Sequence, residues 1–310
     1  MLIAIPVLIA GLVLLVKGAD RFVDGAADIA AARGWSPILV GAVVIGFGTS
    51  APELLVSSVA AAQGDLGLGV GNVIGSNVAN LTLVLGVASM VAVLTVEREV
   101  LTREGPLATA AVALFALFIL DGELTRFEGF VLLAGLVVAL WLIIRAGIGG
   151  DTGELGEPSD RPMNMVALAT GLGLVMTLIG AQGVVWAASE IASELNLTEG
   201  FVGFTLVALG TSLPELGTTV AACRKGQTGL VVGNLLGSNI FNSLAVGAAI
   251  ALINPASIGD DLLTGRGAAI MLGAVVFAYL VSATRRRVSR IEGVILFAIY
   301  VGAIVAIAGG

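Results

Sequence analysis

Two pairs of short segments carry the same chemically active residues, and the members of each pair are separated by the same distance in sequence. Gly46-Phe-Gly-Thr-Ser-Ala-Pro-Glu53 aligns with Ala208-Leu-Gly-Thr-Ser-Leu-Pro-Glu215. At the same separation, Gly71-Asn-Val-Ile-Gly-Ser-Asn-Val-Ala-Asn80 aligns with Gly233-Asn-Leu-Leu-Gly-Ser-Asn-Ile-Phe-Asn242. Over residues 46–80, 17 of 35 positions are identical without a gap, and the identities include Thr, Ser, Pro, Glu and Asn. Because these are not the residues that dominate the composition, the pattern indicates an internal duplication.

The duplicated segments supply oxygen donors almost exclusively. They are two carboxylates, six hydroxyls, two side-chain amides and two main-chain carbonyls: Glu53 and Glu215; Thr49, Ser50, Ser76, Thr211, Ser212 and Ser238; Asn80 and Asn242; Gly46 and Ala208. The chain has no histidine and one cysteine, which excludes His-based general acid–base catalysis, Ser–His and Cys–His pairs, and metal clusters held by four cysteines. Such a donor set suits Ca²⁺, which takes roughly six to eight oxygens, or Na⁺, and does not suit zinc or copper.

The composition places these donors in a membrane protein. Of 310 residues, 57% are apolar and 12% are charged, with a mean hydropathy of +1.05. A soluble domain is roughly one-quarter charged, so a water-soluble fold is excluded. The net charge of −7 gives no basic surface for nucleic acid.

The hydropathy pattern predicts an all-α fold with ten membrane-spanning helices. A span needs roughly 20 mainly apolar residues, and such runs lie near 2–20, 37–62, 71–95, 105–120, 128–146, 163–182, 200–223, 229–254, 266–283 and 291–308. The first run follows no cationic segment and precedes no small-residue cleavage site, so it is predicted to be a retained helix. The duplication divides the chain into a five-helix repeat at 1–146, a linker at 147–162 predicted to be a flexible tether, and a second repeat at 163–310. An odd number of helices in each repeat inverts the second copy relative to the first.

The distribution of Lys and Arg predicts the orientation. If the ten spans alternate, 13 of the 15 basic residues fall on one side and only Arg126 and Arg266 on the other. This asymmetry predicts a cytoplasmic linker with both termini outside. We expect a cytoplasmic (inner) membrane, the lipid bilayer as the protein's environment, and no obligate protein partner.

Two glutamates lie where a carboxylate is costly. Only Glu53 and Glu215 of the 22 acidic residues fall well inside a predicted span, at equivalent positions of the two repeats. Each follows Gly-Thr-Ser-x-Pro, and because proline removes a backbone donor and clashes with the preceding turn, a broken helix with freed carbonyls near Gly46 and Ala208 is expected. A membrane-buried carboxylate is by default a functional residue, and non-helical backbone at this depth lines a cavity or is buried in protein.

These motifs resemble those of the calcium/cation antiporter superfamily, specifically the prokaryotic type of its sodium/calcium exchanger branch. The resemblance extends over essentially the whole chain. It implies that helices 2, 3, 7 and 8 surround the ions while helices 1 and 6 slide. It also implies that Glu53 and Glu215 bind Ca²⁺ and share Na⁺, and that the six hydroxyls and the carbonyls of Gly46 and Ala208 complete the sites.

Two positions refine this resemblance. Ca²⁺/H⁺ exchangers of the superfamily typically carry Gly-Asn before the motif glutamate, whereas Gly-Thr-Ser favours the Na⁺-linked branch. Many Na⁺/Ca²⁺ exchangers and the K⁺-dependent ones have Asp where this chain has Asn242, which argues against K⁺ co-transport. The linker is also too short for the regulatory domain of eukaryotic relatives.

The expected activity is therefore antiport of Ca²⁺ against Na⁺ by alternating access, with no enzymatic activity and no cofactor other than the transported ions. A Ca²⁺/H⁺ antiporter on the same scaffold is the nearest alternative, and a cation channel with a glutamate-lined pore is a further one.

Overall fold

The computed structural model describes residues 3–150, 152–194, 209–260 and 262–308. Within them the chain forms eleven principal helices: α1 Ala4–Arg33, α2 Pro37–Thr49, α3 Ala51–Gln63, α4 Leu66–Val91, α5 Arg98–Ile119, α6 Arg126–Gly147, α7 Met163–Glu194, α8 Leu213–Arg224, α9 Thr228–Ile253, α10 Leu262–Arg285 and α11 Arg290–Ala308. Four two-residue strands accompany them: β1 Leu94–Thr95, β2 Glu123–Leu124, β3 Ala256–Ser257 and β4 Arg287–Val288.

The helices have the length and composition of a multi-pass membrane protein. Among the described residues, six helices are long and apolar enough to cross a bilayer, namely α4, α5, α6, α7, α9 and α10, and α2 with α3 makes a seventh when this bent pair is one span. Helix α6 leaves large apolar side chains exposed, including Phe130 and Val137 at 61%, as a lipid-facing surface requires. The predicted ten spans would also include α1, α8 and α11, which are not among these seven, so the count of ten stays a prediction.

The separation between the duplicated motifs reappears in the secondary structure. Helix α4 begins at Leu66 and ends at Val91, and α9 begins at Thr228 and ends at Ile253, so both limits are displaced by the distance in sequence that separates Glu53 from Glu215. Strands β1 and β3 have the same relation. Strand β1 pairs antiparallel with β4, and β2 pairs antiparallel with β3, so each small sheet joins a loop of the first half to a loop of the second.

Two kinds of irregularity interrupt the central helices. Helices α2 and α3 meet at Ser50 with a bend of 44°, which places Pro52 within the first two positions of α3, where its missing N–H costs nothing. π-Helical turns occur at Gly41–Gly46 in α2, Asn80–Val84 in α4, Phe241–Val246 in α9 and Leu262–Gly267 in α10. Such turns are often found at functional sites.

Glycines bring α1 and α7 into close backbone contact. A Cβ atom on Gly18 would lie 2.5 Å from the main-chain nitrogen of Thr177, and one on Gly173 would lie 2.5 Å from that of Phe22. Small residues permit this approach between apolar helices. The two longest helices therefore pack as a tight pair.

The linker differs from the flexible tether that its composition predicts. The N–H of Ser36 donates to the carbonyl of Gly147 at 2.8 Å, and the hydroxyl of Ser159 donates to the Asp28 carboxylate on α1, also at 2.8 Å. Arg161 forms an ion pair with the same carboxylate at 3.2 Å. The described part of the linker is thus fastened at both ends.

The middle of the linker caps a helix of the second half. Glu154 accepts hydrogen bonds from the Thr228 hydroxyl at 2.7 Å and from the Gly229 N–H at 2.8 Å, both in the first turn of α9. In the first half, the cap of α4 is its own Asp65, which accepts from the Leu68 N–H at 2.9 Å. The residue equivalent to Asp65 is Gln227, whose side chain makes no cap bond. The linker therefore supplies an acceptor that the second repeat lacks.

Candidate ion-binding site

The break between α2 and α3 places the first carboxylate. Glu53 lies in the first turn of α3 and is 0% exposed. In the second half, Glu215 lies in the first turn of α8 and is also 0% exposed. The residues that precede the two helices, Ser50 and Ser212, have nearly the same backbone angles: φ −83°, ψ 8° and φ −86°, ψ 1°. The two motifs therefore present their glutamates by the same local geometry.

Helices α4 and α9 supply the second layer of donors. Ser76 and Asn80 on α4, and Ser238 and Asn242 on α9, are all 0% exposed. Asn80 opens one π-helical turn and Asn242 lies in the other. Since a π-helical turn widens the helix locally, it changes the direction in which these amides project.

Contacts between the two halves bring several of these residues together. The Ser50 hydroxyl donates to the Glu215 carboxyl oxygen Oε1 at 2.8 Å, and the Ser238 hydroxyl donates to the Gly46 carbonyl at 3.3 Å. Glu53 and Glu215 are near enough to interact electrostatically. The hydroxyls of Ser76 and Thr211 lie beside Glu53, while those of Thr49 and Ser50 lie beside Glu215.

Many oxygen atoms of this site have no hydrogen-bond partner within the described part of the chain. They are both carboxyl oxygens of Glu53, Oε2 of Glu215, the hydroxyl oxygens of Ser76 and Ser212, and the side-chain amide oxygens of Asn80 and Asn242. Buried polar atoms are almost always satisfied, and an unsatisfied one is costly. Unsatisfied oxygens of this kind, together with two carboxylates, are the ligands that a hard cation such as Ca²⁺ takes.

One main-chain oxygen that was predicted to be an ion ligand differs from expectation. The carbonyl of Gly46 is not freed by the helix break, because it accepts from the Ser50 N–H at 3.1 Å and from the hydroxyls of Thr49 and Ser238 at 3.3 Å. The two hydroxyl bonds can be exchanged for a cation, whereas the backbone bond holds the turn. The equivalent carbonyl of Ala208 lies outside the described residues.

The structure also adds residues that the chemistry of the motifs did not single out. Asn72 donates to the Ser57 hydroxyl at 3.0 Å and to the carbonyl of Glu53 at 3.3 Å. Its counterpart Asn234 donates to Thr219 at 3.0 Å. Both asparagines lie in the aligned segments, so the duplication itself was the available signal.

The site has few charges for its size. In the described residues no group of three or more His, Cys, Asp or Glu side chains could hold a metal, so the candidate site combines two carboxylates with neutral oxygens. That combination matches hard, weakly held cations rather than a permanently bound transition metal.

Comparison with known proteins agrees with this geometry. A family model described as "Sodium/calcium exchanger protein" matches residues 3–145 and 165–309. The chain belongs to the sodium/calcium exchanger family. The family consists of transporters rather than enzymes, and this chain is a helical membrane protein of its prokaryotic branch.

Named relatives cover nearly the whole exchanger chain. It is 38% identical to the "Putative antiporter CaxA" of Alkalimonas amylolytica over 97% of this chain and 98% of the relative. It is 31% identical to the "Sodium/calcium exchanger MaX1" of Methanosarcina acetivorans over 97% of each. Among solved structures, the sodium-calcium exchanger NCX_Mj, soaked with Na⁺ and Ca²⁺, superposes with a TM-score of 0.85 at 30% identity and covers 98% of each chain. These matches support a cation/Ca²⁺ antiporter.

Proposed function

We propose that this protein exchanges Ca²⁺ for Na⁺ across a cytoplasmic membrane by alternating access. The proposal rests mainly on one observation. Glu53 and Glu215 are both buried and lie near each other, and neighbouring buried oxygen atoms have no hydrogen-bond partner among the described residues. The named relatives MaX1 and NCX_Mj, a sodium/calcium and a sodium-calcium exchanger, support the choice of ions.

Charge explains why the two ions exchange rather than bind together. Two carboxylates balance one Ca²⁺ or are shared by two or three Na⁺, and both sets at once would leave excess positive charge in a buried cavity. An empty site is also unable to pass through a closed state, because two unpaired buried charges are too costly. Transport in one direction therefore requires return with the other ion.

The ligands we assign are the two carboxylates, six hydroxyls, two amides and two carbonyls identified in the sequence. Asn242 stands where a further carboxylate would demand an additional cation, so we assign no K⁺ to the cycle. The ions are cargo, and no further cofactor or protein partner enters the mechanism.

Several features support ten helices in two inverted repeats, with both termini outside. The separation in sequence between the duplicated motifs also relates α4 to α9 and β1 to β3. Each of the two small sheets joins loops that the predicted alternation puts on one side of the membrane. The relative YrbG of Escherichia coli, 37% identical, is named an inner membrane protein, in line with a cytoplasmic membrane.

The proposal is tested by ⁴⁵Ca²⁺ uptake into proteoliposomes loaded with Na⁺ and diluted into Na⁺-free buffer, with the pH clamped equal on both sides. We expect uptake that disappears when internal Na⁺ is replaced by choline. Uptake driven by a pH gradient without Na⁺ would instead identify a Ca²⁺/H⁺ antiporter. Uptake without any counter-ion, growing linearly with voltage, would identify a channel.

A further inference from the structure

Two buried asparagines lie directly behind the motif glutamates. Asn72 on α4 is 3% exposed and Asn234 on α9 is 1% exposed. They are equivalent residues of the two repeats, and neither belongs to the ion ligands assigned above.

The amide nitrogens of both residues donate hydrogen bonds to the helices that carry the motif glutamates. Asn72 donates to the carbonyl of Glu53 at 3.3 Å and to Ser57, which attaches α4 to α3. Asn234 donates to Thr218 at 3.3 Å, and the Thr218 hydroxyl donates in turn to the carbonyls of Pro214 at 2.9 Å and Glu215 at 3.2 Å. Asn72 therefore holds the backbone of Glu53 directly, and Asn234 holds the turn that carries Glu215 through Thr218.

The amide oxygens, in contrast, have different surroundings. The Thr211 hydroxyl of the second half donates to Oδ1 of Asn72 at 3.3 Å, which links the two repeats. Oδ1 of Asn234 has no hydrogen-bond partner among the residues that the structure describes. Thr49, the equivalent of Thr211, donates to the carbonyls of Ile45 and Gly46 in its own helix, at 3.0 and 3.3 Å.

The two helices that carry Thr49 and Asn234 pack directly against each other. Gly46 packs against the main chain of Asn234, since a Cβ on this glycine would lie 3.1 Å from the Asn234 carbonyl oxygen. Thr49 follows Gly46 by about one helical turn, so a Thr49–Asn234 bond would require α2 to change its position against α9. Leaving a buried amide oxygen unsatisfied costs free energy, and formation of this bond would recover it.

A second pair of contacts shows that the repeats differ in the same region. Ser50 donates to Glu215 at 2.8 Å, but its equivalent, Ser212, has no partner within the described residues. In a transporter built from inverted repeats, the two access states are related by exchange of the repeats' conformations. A contact made by only one repeat is therefore expected to pass to the other when access changes.

We propose that Asn72 and Asn234 are positioning residues that act as alternate latches, with the Thr211–Asn72 bond stabilising the state seen here and a Thr49–Asn234 bond stabilising the opposite-facing state. This inference rests on the proposed antiport by alternating access. It assigns to two residues outside the ion site a share in the equilibrium between the two states.

The test compares Asn72→Ala and Asn234→Ala in sided vesicles. Right-side-out and inside-out membrane vesicles give the KM for Ca²⁺ at each face, and the ratio of the two KM values follows the equilibrium constant between the states because each face binds only in its own state. Loss of one neutral hydrogen bond is expected to move this ratio about two- to tenfold, in one direction for Asn72→Ala and in the opposite direction for Asn234→Ala. The double variant should return the ratio toward that of the wild type.

Thr211→Val and Thr49→Val provide a second, smaller perturbation at the other end of each bond. Because these hydroxyls also lie beside the ions, Ca²⁺ affinity should fall at both faces, but a common loss cancels in the ratio. The ratio should again move in opposite directions, the Thr211 variant following Asn72→Ala. These variants keep both asparagine anchors, so they serve if an alanine variant fails to fold.

The possible results separate the inference from the function on which it rests. If the wild type shows counter-ion-dependent Ca²⁺ uptake but the ratio of KM values is unchanged in the variants, the latches alone are overturned. The same conclusion follows if the ratio moves in the same direction in both variants of a pair. Absence of counter-ion-dependent Ca²⁺ uptake by the wild type overturns the proposed function, and the latches with it.

Discussion

At the scale of single residues, the hydrogen bond from Ser50 to Glu215 distinguishes two serines that the sequence makes equivalent. Ser50 satisfies one carboxyl oxygen of the opposite repeat at 2.8 Å, whereas the Ser212 hydroxyl has no partner within the described residues. Both hydroxyls are candidate ion ligands. Both serines should therefore contribute to stability when the ions are bound, whereas only Ser50 should contribute a hydrogen bond when the ions are absent.

We expect Ser50→Ala to lower the free energy of unfolding by about 1 kcal/mol in ion-free buffer, because it leaves Oε1 of Glu215 unsatisfied. Ser212→Ala should change it by less than about 0.5 kcal/mol there, since no hydrogen bond is lost. Both variants should reduce the rise in melting temperature that Ca²⁺ produces. Thermal unfolding of each purified variant and of the wild type, with and without Ca²⁺, measures these effects. Equal losses of stability for the two variants in ion-free buffer would contradict this assignment.

The chemistry of this site could be predicted from residue types, but its internal contacts could not. The two glutamates and their oxygen-rich neighbours follow from the duplicated motifs, because an intramembrane carboxylate needs partners. Which hydroxyl meets which carboxyl depends on the relative position of the two repeats, which the spacing along one chain does not encode. The occupied carbonyl of Gly46 and the roles of Asn72 and Asn234 were missed for that reason.

At the scale of elements, the linker compensates for a substitution in the second repeat. Asp65 caps α4 and Gln227 does not cap α9, although their backbone conformations are similar: φ −93°, ψ 76° and φ −88°, ψ 67°. Glu154 supplies the missing acceptor from the linker. A composition rich in Gly, Asp and Glu predicts flexibility, and it failed here because the carboxylates find specific donors at helix ends.

Glu154→Gln should destabilise the protein by about 1 kcal/mol, because a carboxylate at a helix N-terminus is replaced by a neutral and weaker cap. Gln227→Asp should offset this loss in the double variant, because it restores the residue that caps α4 at the equivalent position. Chemical or thermal unfolding of the single and double variants provides the measurement. If Gln227→Asp stabilises the wild type and the Glu154 variant by the same amount, the two caps do not substitute for each other.

At the scale of the whole molecule, the duplication in the sequence relates elements of the two halves and underlies the proposed transport cycle. The two halves keep the same spacing between equivalent residues, down to the limits of α4 and α9. The number of spans is less accessible, because hydropathy does not separate long helices that carry charges, such as α1, from segments outside the bilayer. The close pairing of α1 with α7 through glycines also depends on tertiary contact.

A cycle that moves three Na⁺ against one Ca²⁺ transfers one net charge and should respond to voltage. For ⁴⁵Ca²⁺ uptake into Na⁺-loaded proteoliposomes, one positive charge leaves per Ca²⁺ that enters. A valinomycin-induced potential that is positive inside should therefore accelerate uptake, and one that is negative inside should slow it. Uptake that is insensitive to both potentials would indicate two Na⁺ per Ca²⁺.

The central claim is that Glu53 and Glu215 form one cation site, and it is tested most directly by Na⁺-dependent ⁴⁵Ca²⁺ uptake in Glu53→Gln and Glu215→Gln. The matched control is Glu104→Gln, which alters a carboxyl that is also buried, at 8% exposure, but that lies in α5 beside Arg103 and Trp141. We predict that each of the first two substitutions abolishes exchange while the control retains it. Exchange at the wild-type rate in either Glu53→Gln or Glu215→Gln, in folded protein, would contradict the account.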